Sequence, residues 1–267
     1  MDIRDKNVVL TGASGGIGRA IAEKLSAKGA RLILVGRNVQ KLERLLEDLG
    51  GHPHVTVTTD LGNEEGRHRL LEACNGIGAG GISLLINNAG INEFGLFEDQ
   101  SQAGMANLIN VNLLSPMLIC QDLLPLLKQQ DGAQIVNIGS TFGSIGYPGF
   151  SAYCASKFGL RGFTESLRRE LADSGMQVSY IAPRATDTDL NSDNIVAMND
   201  ALGTAMDKPS LVADEVMQII STPSGTDKYL GWPEKIFVRI NALLPSIVDS
   251  SLRKQLPIIR RYAKHGI

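Results

Sequence analysis

Short apolar runs alternate with segments of helical periodicity along most of the chain, and this alternation limits the possible folds more than any other feature of the sequence. Most of the apolar runs are continuous and do not alternate with polar residues, which is typical of strands buried on both faces of a sheet. Strands that alternate with helices predict the α/β class, with a doubly wound parallel sheet of Rossmann type. We expect the strand order 3-2-1-4-5-6-7.

The predicted elements follow one another without a linker or an internal repeat. The predicted strands are Asn7–Leu10, Leu32–Val35, Val55–Thr59, Leu84–Ile86, Ile135–Ile138, Val178–Ile181 and Lys228–Leu230. The predicted helices are Gly16–Lys28, Val39–Leu49, Glu64–Asn75, Met105–Leu127, Ala152–Asp173 and Leu211–Ile220.

We therefore expect one dinucleotide-binding and catalytic domain at residues 1–231, followed by a basic amphipathic helical extension at residues 232–267. Residues 228–267 contain eight basic and two acidic residues, a net charge of +6, so the rest of the chain carries −8. Pro245 and Pro257 are expected to divide the extension into short helices, since proline interrupts helical hydrogen bonding.

Composition excludes several classes of protein. With 26 basic and 28 acidic side chains among 267 residues, the net charge of −2 excludes a globally basic nucleic-acid binder. No apolar run approaches the roughly 18–20 residues of a membrane span, and Met1–Lys6 lacks the apolar region of a signal peptide. The cysteines form no CxxC pair and are predicted to be reduced thiols of a cytoplasmic protein; they are Cys74, Cys120 and Cys154.

No metal site is predicted, because acids and cysteines do not cluster around the histidines. The histidines are His52, His54, His68 and His265.

A glycine-rich turn at residues 11–18 follows the first predicted strand and opens the first predicted helix. Glycines let backbone N–H groups approach a pyrophosphate, and a helix N-terminus adds partial positive charge. The spacing differs from the GxGxxG fingerprint, and a tight strand-to-helix connection would also explain such a turn. We favour a dinucleotide site, with contacts from Gly12, Ser14, Gly16, Ile17 and Gly18.

The second predicted strand is followed by Gly36-Arg37, where a cofactor with a free ribose 2′-hydroxyl usually meets a carboxylate. A guanidinium suits a 2′-phosphate, so Arg37 favours NADP(H) as the cofactor, with Arg19 as a second basic candidate. The alternative is an ordinary solvated arginine at a strand end.

Three more segments complete a known pattern: Asn87-Asn88-Ala89-Gly90, then Ser140, then Tyr153-Cys154-Ala155-Ser156-Lys157. With the glycine-rich turn, they resemble the classical short-chain dehydrogenase/reductase family over about residues 5–230. The resemblance implies homodimers or homotetramers formed through two long helices. It implies a catalytic tetrad of Asn112, Ser140, Tyr153 and Lys157. It implies cofactor contacts at Asp60, Leu61, Asn88, Ala89, Gly90, Tyr153, Lys157, Pro183, Thr186 and Thr188.

Tyr153 and Lys157 suit carbonyl reduction, which needs a hydride at carbon and a proton at oxygen. A free tyrosine has a pKa of about 10, so its ionisation at pH 7 costs roughly 4 kcal/mol. Lys157 shares a helix face with Tyr153, and its charge is worth roughly 4 kcal/mol at about 4 Å. We therefore expect Lys157 to lower the pKa of Tyr153 and Ser140 to donate to the oxyanion. The family further implies that Asn112 bends its helix by holding a water, and we expect Cys154 to pack rather than react.

The sequence departs from the family at Pro183-Arg184, where Pro-Gly is usual. Arg184 lacks the backbone freedom of glycine and adds a charge near the site, which leaves the loop conformation and the substrate class open.

Between Thr188 and Leu211 the family has a mobile substrate loop. Its methionines suit variable apolar ligands and predict a lipophilic or acyl-derived substrate, whereas a flexible surface excursion is the alternative. The basic extension favours peripheral contact with an anionic membrane or an acidic acyl carrier. An extension packed over the core or across a dimer interface is equally compatible with the sequence.

The sequence thus predicts NADP(H)-dependent interconversion of a carbonyl and a secondary alcohol in a small molecule, mainly as reduction. An NAD-linked alcohol dehydrogenase, an epimerase and a non-catalytic NADP-sensing or scaffolding protein are the alternatives.

Overall fold

The computed structural model describes residues 1–50, 53–77, 80–222 and 224–263. Seven strands form one sheet in the order β3-β2-β1-β4-β5-β6-β7, and each neighbouring pair is parallel. The predicted sheet and its strand order are confirmed. The strands are β1 (Asn7–Thr11), β2 (Arg31–Gly36), β3 (Val55–Thr58), β4 (Ile82–Asn87), β5 (Gln134–Ile138), β6 (Gln177–Ala182) and β7 (Asp227–Tyr229).

Helices follow the strands and cover both faces of the sheet. They are α1 (Gly16–Ala27), α2 (Val39–Asp48), α3 (Glu64–Asn75), α4 (Gln102–Ile109), α5 (Ser115–Leu127), α6 (Ser151–Glu170), α7 (Asp193–Leu202), α8 (Pro209–Ser221), α9 (Glu234–Leu243) and α10 (Pro245–Ala263).

Each strand sends alternate side chains into two apolar layers, one on each face of the sheet. In β1, Val8 and Leu10 pack in the layer that includes α1 and α8, whereas Val9 packs in the layer that includes α3 and α5. All three side chains are fully buried. The strands therefore read as continuous apolar runs because both of their faces are covered.

The predicted helix at residues 105–127 is interrupted at Asn112. The residues Asn110–Leu114 form a single π-helical turn between α4 and α5. Asn112 Nδ2 donates to the carbonyl oxygen of Ile91 at 2.9 Å, and Asn112 Oδ1 accepts from the Ile91 amide at 2.8 Å. A π turn of this kind often marks a functional position. The helix is distorted at Asn112 as expected, and the water that Asn112 would hold stays a prediction.

The stretch from α4 to α5, residues 102–127, is long and apolar enough to cross a membrane by length and composition alone, with a mean hydropathy of 1.4. The sequence had predicted no such stretch. One third of its most apolar window is buried, and Ile119, Leu123 and Leu127 belong to the core layer on one face of the sheet. In this structure the stretch is a covering layer of the sheet.

Pro245 begins α10 as predicted, but the expectation that Pro257 ends a helix is wrong. Pro257 lies inside α10, which continues to Ala263. Proline removes the helical partner of the carbonyl four residues earlier, which belongs to Arg253, and both residues are exposed so that water can bond this carbonyl. The helix continues because Ile259 is fully buried in a cluster with residues of α7. Tertiary packing thus outweighs the proline.

The segment between Thr188 and Leu211 contains the helix α7, which the sequence did not predict. Ile195 and Met198 of α7 are buried in one cluster with Phe150 and Ile259. Packing against α10 therefore orders this segment, which excludes a purely flexible surface excursion.

A chain of buried hydrogen bonds fixes α6 against the sheet. Asn87 Nδ2 donates to Asn137 Oδ1 at 2.9 Å, and Asn137 Nδ2 donates to Thr164 Oγ1 at 2.8 Å. The Thr164 hydroxyl donates in turn to the Leu160 carbonyl at 2.7 Å. These bonds join β4, β5 and α6, so they set the position of the helix that carries Tyr153.

Thr164→Val should lower the free energy of unfolding by about 1–3 kcal/mol, because valine keeps the shape of threonine but leaves the Asn137 amide buried without an acceptor. Urea unfolding measures the change. Ser166→Ala, at an exposed position of the same helix, is the matched control. A loss no larger than that of the control would contradict this role.

Candidate active site

A cavity of about 600 Å³ lies at the carboxyl ends of the central strands, where open α/β sheets bind their ligands. Asn112 is buried and does not line it. Arg19, the second basic candidate, does not line it either. The other residues that the sequence placed in the site do: Gly12, Ser14, Gly16, Ile17, Gly18, Arg37, Asp60, Leu61, Asn88, Ala89, Gly90, Ser140, Tyr153, Lys157, Pro183, Thr186 and Thr188.

The glycines of the first turn are required by close backbone approach. A Cβ atom on Gly12, whose φ is +62°, would lie 2.8 Å from Ala89 Cα, and one on Gly18 would lie 2.1 Å from the Gly12 oxygen. Helix α1 begins after Gly15 without a side-chain cap. An anionic group in the cavity would therefore meet backbone N–H donors and the positive end of α1, so this cradle fits a dinucleotide.

Thr11 ties the turn after β1 to the loop after β4, and the sequence did not single it out. Its Oγ1 accepts from the amides of Asn88 and Ala89, each at 3.0 Å. The Asn88 side chain donates back to the carbonyl oxygens of Thr11 and Gly12, each at 3.1 Å. A hydroxyl at the strand end, just before the first glycine, was the available signal for this role.

Arg19, the second basic residue considered for the cofactor phosphate, forms ion pairs with other side chains. Arg19 pairs with Glu23 at 3.0 Å and with Asp48 at 2.6 Å. Arg37 is exposed at the end of β2 and forms no ion pair within the described part of the chain. Arg37 is therefore the better placed of the two for an added phosphate.

Tyr153 and Lys157 lie on one buried face of α6 and both reach the cavity. Lys157 Nζ lies 5.7 Å from the centroid of the Tyr153 ring and donates to the Ile138 carbonyl at 3.1 Å. The Ser140 side chain lines the same cavity, and its interaction with Tyr153 acts to lower the pKa of the phenol. The structure thus brings together the three polar groups that the sequence placed at the reacting centre.

Burial dominates the pKa values of this pair. It raises the pKa of Tyr153 to about 12, although the interaction with Ser140 acts in the opposite direction. Burial also lowers the pKa of Lys157 to about 8. The expectation that Tyr153 has a lowered pKa is therefore wrong for this structure, because burial of the phenol raises its pKa. The phenol is protonated throughout the neutral range and is available as a proton donor.

Asn112 lies near Ser156 and Lys157 and does not contact Tyr153 among the described hydrogen bonds. Its Nδ2 lies 3.3 Å from the Ser156 hydroxyl. A Cβ atom on Gly90 would lie 3.3 Å from Asn112 Oδ1 and 3.7 Å from Lys157 Nζ, so the glycine leaves a gap between these two groups.

Arg184 is not a free charge in the site. Its guanidinium donates twice to Asp207, at 2.8 and 2.7 Å, and once to Glu234 at 3.3 Å. The Asp207 carboxylate raises the pKa of Arg184 further. These bonds join the loop after β6, the segment after α7 and the start of α9. Sequence reasoning could not find the partners because they are 23 and 50 residues away.

The wall of the cavity near Tyr153 is largely aromatic, and the sequence analysis did not identify its residues. Phe142 stacks on Tyr147 with ring centroids 4.8 Å apart, and Phe150 lies 6.3 Å from the Tyr153 ring. Asn92 also lines the cavity, and its buried Oδ1 has no hydrogen-bond partner in the described residues. The extension contributes the apolar lining residues Phe237, Val248 and Leu252.

The remaining candidates have structural surroundings. Cys154 is buried, accepts from the Tyr147 amide and has a thiol pKa raised by burial, which favours packing. His54 Nε2 lies 3.0 Å from the Ser26 hydroxyl. The described residues contain no cluster of metal ligands. His52 and His265, together with the basic Lys264, lie outside the described residues.

Comparisons with known proteins agree in sequence and in fold. A family model described as short chain dehydrogenase matches residues 6–198. The chain is 36% identical to a 3-oxoacyl-(acyl-carrier-protein) reductase of Homo sapiens, over 71% of this chain and 79% of the human protein. It is 33% identical to carbonyl reductase family member 4 of Danio rerio, over 83% and 94% of the two chains. A crystal structure of a dehydrogenase/reductase from Sinorhizobium meliloti 1021 matches with a TM-score of 0.75 and 27% identity, over 85% of this chain and 95% of that one.

A double-mutant cycle should reveal the strength of the Arg184 contact. Arg184→Met and Asp207→Asn, made singly and together, should give a coupling free energy of about 2 kcal/mol, because the pair is mostly buried and bidentate. Urea unfolding of the four proteins measures it. The exposed pair of Arg69 and Glu65 is the control, with an expected coupling of about 0.5 kcal/mol or less. Equal couplings for the two pairs would contradict the account.

Proposed function

The chain belongs to the short-chain dehydrogenase/reductase family, an oxidoreductase family that interconverts carbonyls and alcohols with a nicotinamide cofactor, and on that basis we propose an NADP(H)-dependent reductase of lipophilic or acyl-derived carbonyls. Asn112, Ser140, Tyr153 and Lys157 form its catalytic site in this proposal. The observation that carries it is the buried Tyr153 side chain, which lines one cavity together with Ser140, Lys157 and the glycine cradle.

The glycine-rich turn and the loop after β4 would hold the cofactor, which supplies the hydride when bound. Gly12, Gly16 and Gly18 let the chain approach its phosphates, while Asp60, Asn88 and Gly90 would contact the adenosine. Pro183, Thr186 and Thr188 also line the cavity, in the stretch where the family holds the carboxamide.

Tyr153 donates the proton to the carbonyl oxygen in this mechanism. Its raised pKa keeps it protonated at neutral pH, so reduction needs no earlier deprotonation, whereas oxidation would begin with the loss of a proton from a phenol of pKa about 12.

Ser140 and Lys157 assist this transfer. The Ser140 hydroxyl donates to the substrate's carbonyl oxygen as negative charge develops on that oxygen. The Lys157 ammonium stabilises the phenolate left after the transfer, and Asn112 positions the lysine through the hydroxyl of the neighbouring Ser156. Since the pKa of Lys157 is about 8, the lysine is mainly charged at neutral pH.

Arg37 supports NADP(H) over NAD(H). It lies at the end of β2, lines the cavity and forms no ion pair in the part of the chain that the structure describes. A 2′-phosphate would give its guanidinium a bidentate partner.

The walls of the cavity support a lipophilic substrate. Aromatic rings of residues 142–153 form one side, and α7, α9 and α10 contribute apolar side chains to the other. Relatives named 3-oxoacyl-(acyl-carrier-protein) reductase are consistent with an acyl-derived carbonyl.

A homodimer or homotetramer is part of the proposal. Large apolar side chains are exposed on the two helices that the family uses for assembly, namely Leu114 just before α5, Met117 on α5 and Phe158 on α6. A cytoplasmic location, expected from the reduced cysteines, stays a prediction.

Oxidation of NADPH in the presence of a panel of ketones and acyl-thioester carbonyls tests the proposal directly. The purified chain should turn over apolar ketones faster with NADPH than with NADH. NAD-linked alcohol oxidation alone would favour the dehydrogenase alternative, and cofactor binding without turnover of any carbonyl would favour a non-catalytic protein.

Tyr153→Phe should lower kcat for carbonyl reduction by roughly 10²–10⁴-fold and leave NADPH binding unchanged, because it removes only the proton donor. Steady-state kinetics and a cofactor titration measure the two quantities. Tyr229 is a half-buried tyrosine of the edge strand β7 that does not line the cavity, so Tyr229→Phe should retain turnover as the control. Turnover by Tyr153→Phe close to that of the control would exclude the proposed role.

Arg37→Asp should shift the ratio of kcat/KM for NADPH and NADH towards NADH by on the order of tenfold or more, since a carboxylate repels the 2′-phosphate. Arg44→Asp makes the same charge change at an exposed position of α2 and should leave the ratio unchanged. An identical ratio in the wild type and in Arg37→Asp would assign cofactor choice to other residues.

A further inference from the structure

The extension exposes large apolar side chains on α9, at both of its ends and in the first turn of α10. We call these side chains the outer strip; it consists of Trp232, Ile236, Leu243, Leu244 and Ile247. Leu243 is 80% exposed and Trp232 is 69% exposed, more than any other large apolar side chain in the described residues. Ile236 and Leu243 are seven residues apart and so share one face of α9. Several large exposed apolar side chains within sixteen residues are typical of an interaction site.

Basic side chains flank the outer strip and lack acidic partners. Lys235 and Arg239 lie beside it on α9, and four more basic residues follow on α10. Within the described residues none of the six forms an ion pair. The six are Lys235, Arg239, Arg253, Lys254, Arg260 and Arg261, and all are exposed.

The same two helices close the apolar end of the cavity. Phe237 on α9 and Val248 and Leu252 on α10 face the cavity, while the outer strip lies on the other side of these helices. The bond between Arg184 and Glu234 fixes the start of α9 to the active-site loop. A surface that held the outer strip would therefore lie next to the apolar end of the site.

We propose that the outer strip docks on an anionic lipid bilayer and that apolar carbonyl substrates pass from the bilayer into the cavity. Leucine and isoleucine side chains bury in the headgroup boundary, tryptophan favours the interface, and lysine and arginine attract anionic headgroups. The docking stands on the exposed residues alone, and only the passage of substrate rests on the proposed function.

Charge favours a bilayer over a second copy of the chain. A symmetric dimer through the outer strip would place the unpaired basic residues of one copy near those of the other, and like charges across an interface are unfavourable. An anionic bilayer satisfies both the basic residues and the apolar side chains.

Trp232 provides the readout because it is the only tryptophan in the sequence. The full chain is titrated with vesicles of phosphatidylcholine alone, and with vesicles that also contain phosphatidylglycerol. Only the anionic vesicles should shift the emission of Trp232 to the blue, brominated lipid in them should quench it, and high salt should weaken both effects. Salt-independent binding to both kinds of vesicle, or no response to either, would overturn the proposal.

Variants separate the two parts of the surface. Lys235→Gln with Arg239→Gln should weaken binding to anionic vesicles about fivefold for each residue, and Leu243→Asn with Leu244→Asn should abolish it. Arg44→Gln and Phe97→Asn, at exposed positions elsewhere, should bind as the wild type does. Equal binding by all variants would overturn the assignment of the surface.

Two controls identify the occupant. If the outer strip holds a second copy, analytical ultracentrifugation will show a dimer that the leucine variant lacks, without any response to vesicles. If Trp232 responds to an acidic acyl carrier protein but not to vesicles, the partner is a protein, and either outcome overturns bilayer docking.

Reduction of a water-soluble ketone is assayed for each variant without lipid, so loss of docking is distinguished from failure of the proposed function.

Discussion

Desolvation of one tyrosine and one lysine on α6 is the constraint on which the rest of the site depends. Burial keeps the proton on Tyr153 and makes Lys157 easier to neutralise, with pKa values of about 12 and 8. A phenol that donates its proton and then carries negative charge needs a site that excludes water, which keeps it protonated beforehand, and a nearby cation, which stabilises the phenolate. The two groups share a face because they are four residues apart, and the Asn137–Thr164 bond holds that face against the sheet.

The opposite end of the cavity depends on the absence of side chains. The turn after β1 approaches the loop after β4 so closely that Gly12 and Gly18 cannot carry a Cβ atom. Thr11 joins these two segments by accepting from both amides of the loop. A glycine cradle at the ends of β1 and β4 and a buried proton donor on α6 thus line one cavity, which is what orientation of a cofactor against a carbonyl requires.

The local part of this arrangement could be read from the sequence. Continuous apolar runs predicted the strands, the expected Rossmann-type topology predicted their order, and the spacing of motifs predicted residues that do line one cavity. What could not be predicted depends on contacts between distant segments. Arg184 pairs with Asp207 after α7 and with Glu234 in α9. Pro257 lies within α10 because Ile259 is packed in the core. Burial raises the pKa of Tyr153, which is opposite to the expected direction. Each of these outcomes is set by tertiary surroundings rather than by local pattern.

The central claim is that the charged form of Lys157 supports proton donation by Tyr153. The pH dependence of kcat/KM for carbonyl reduction tests it most directly, since this quantity reports the titration of the free enzyme. Lysine loses its charge as the pH rises through its pKa, so kcat/KM should be constant near pH 7 and fall above about pH 8. In Lys157→Arg, residual activity should show no such fall because arginine stays charged. A wild-type profile that stays flat well above pH 8 would contradict the account.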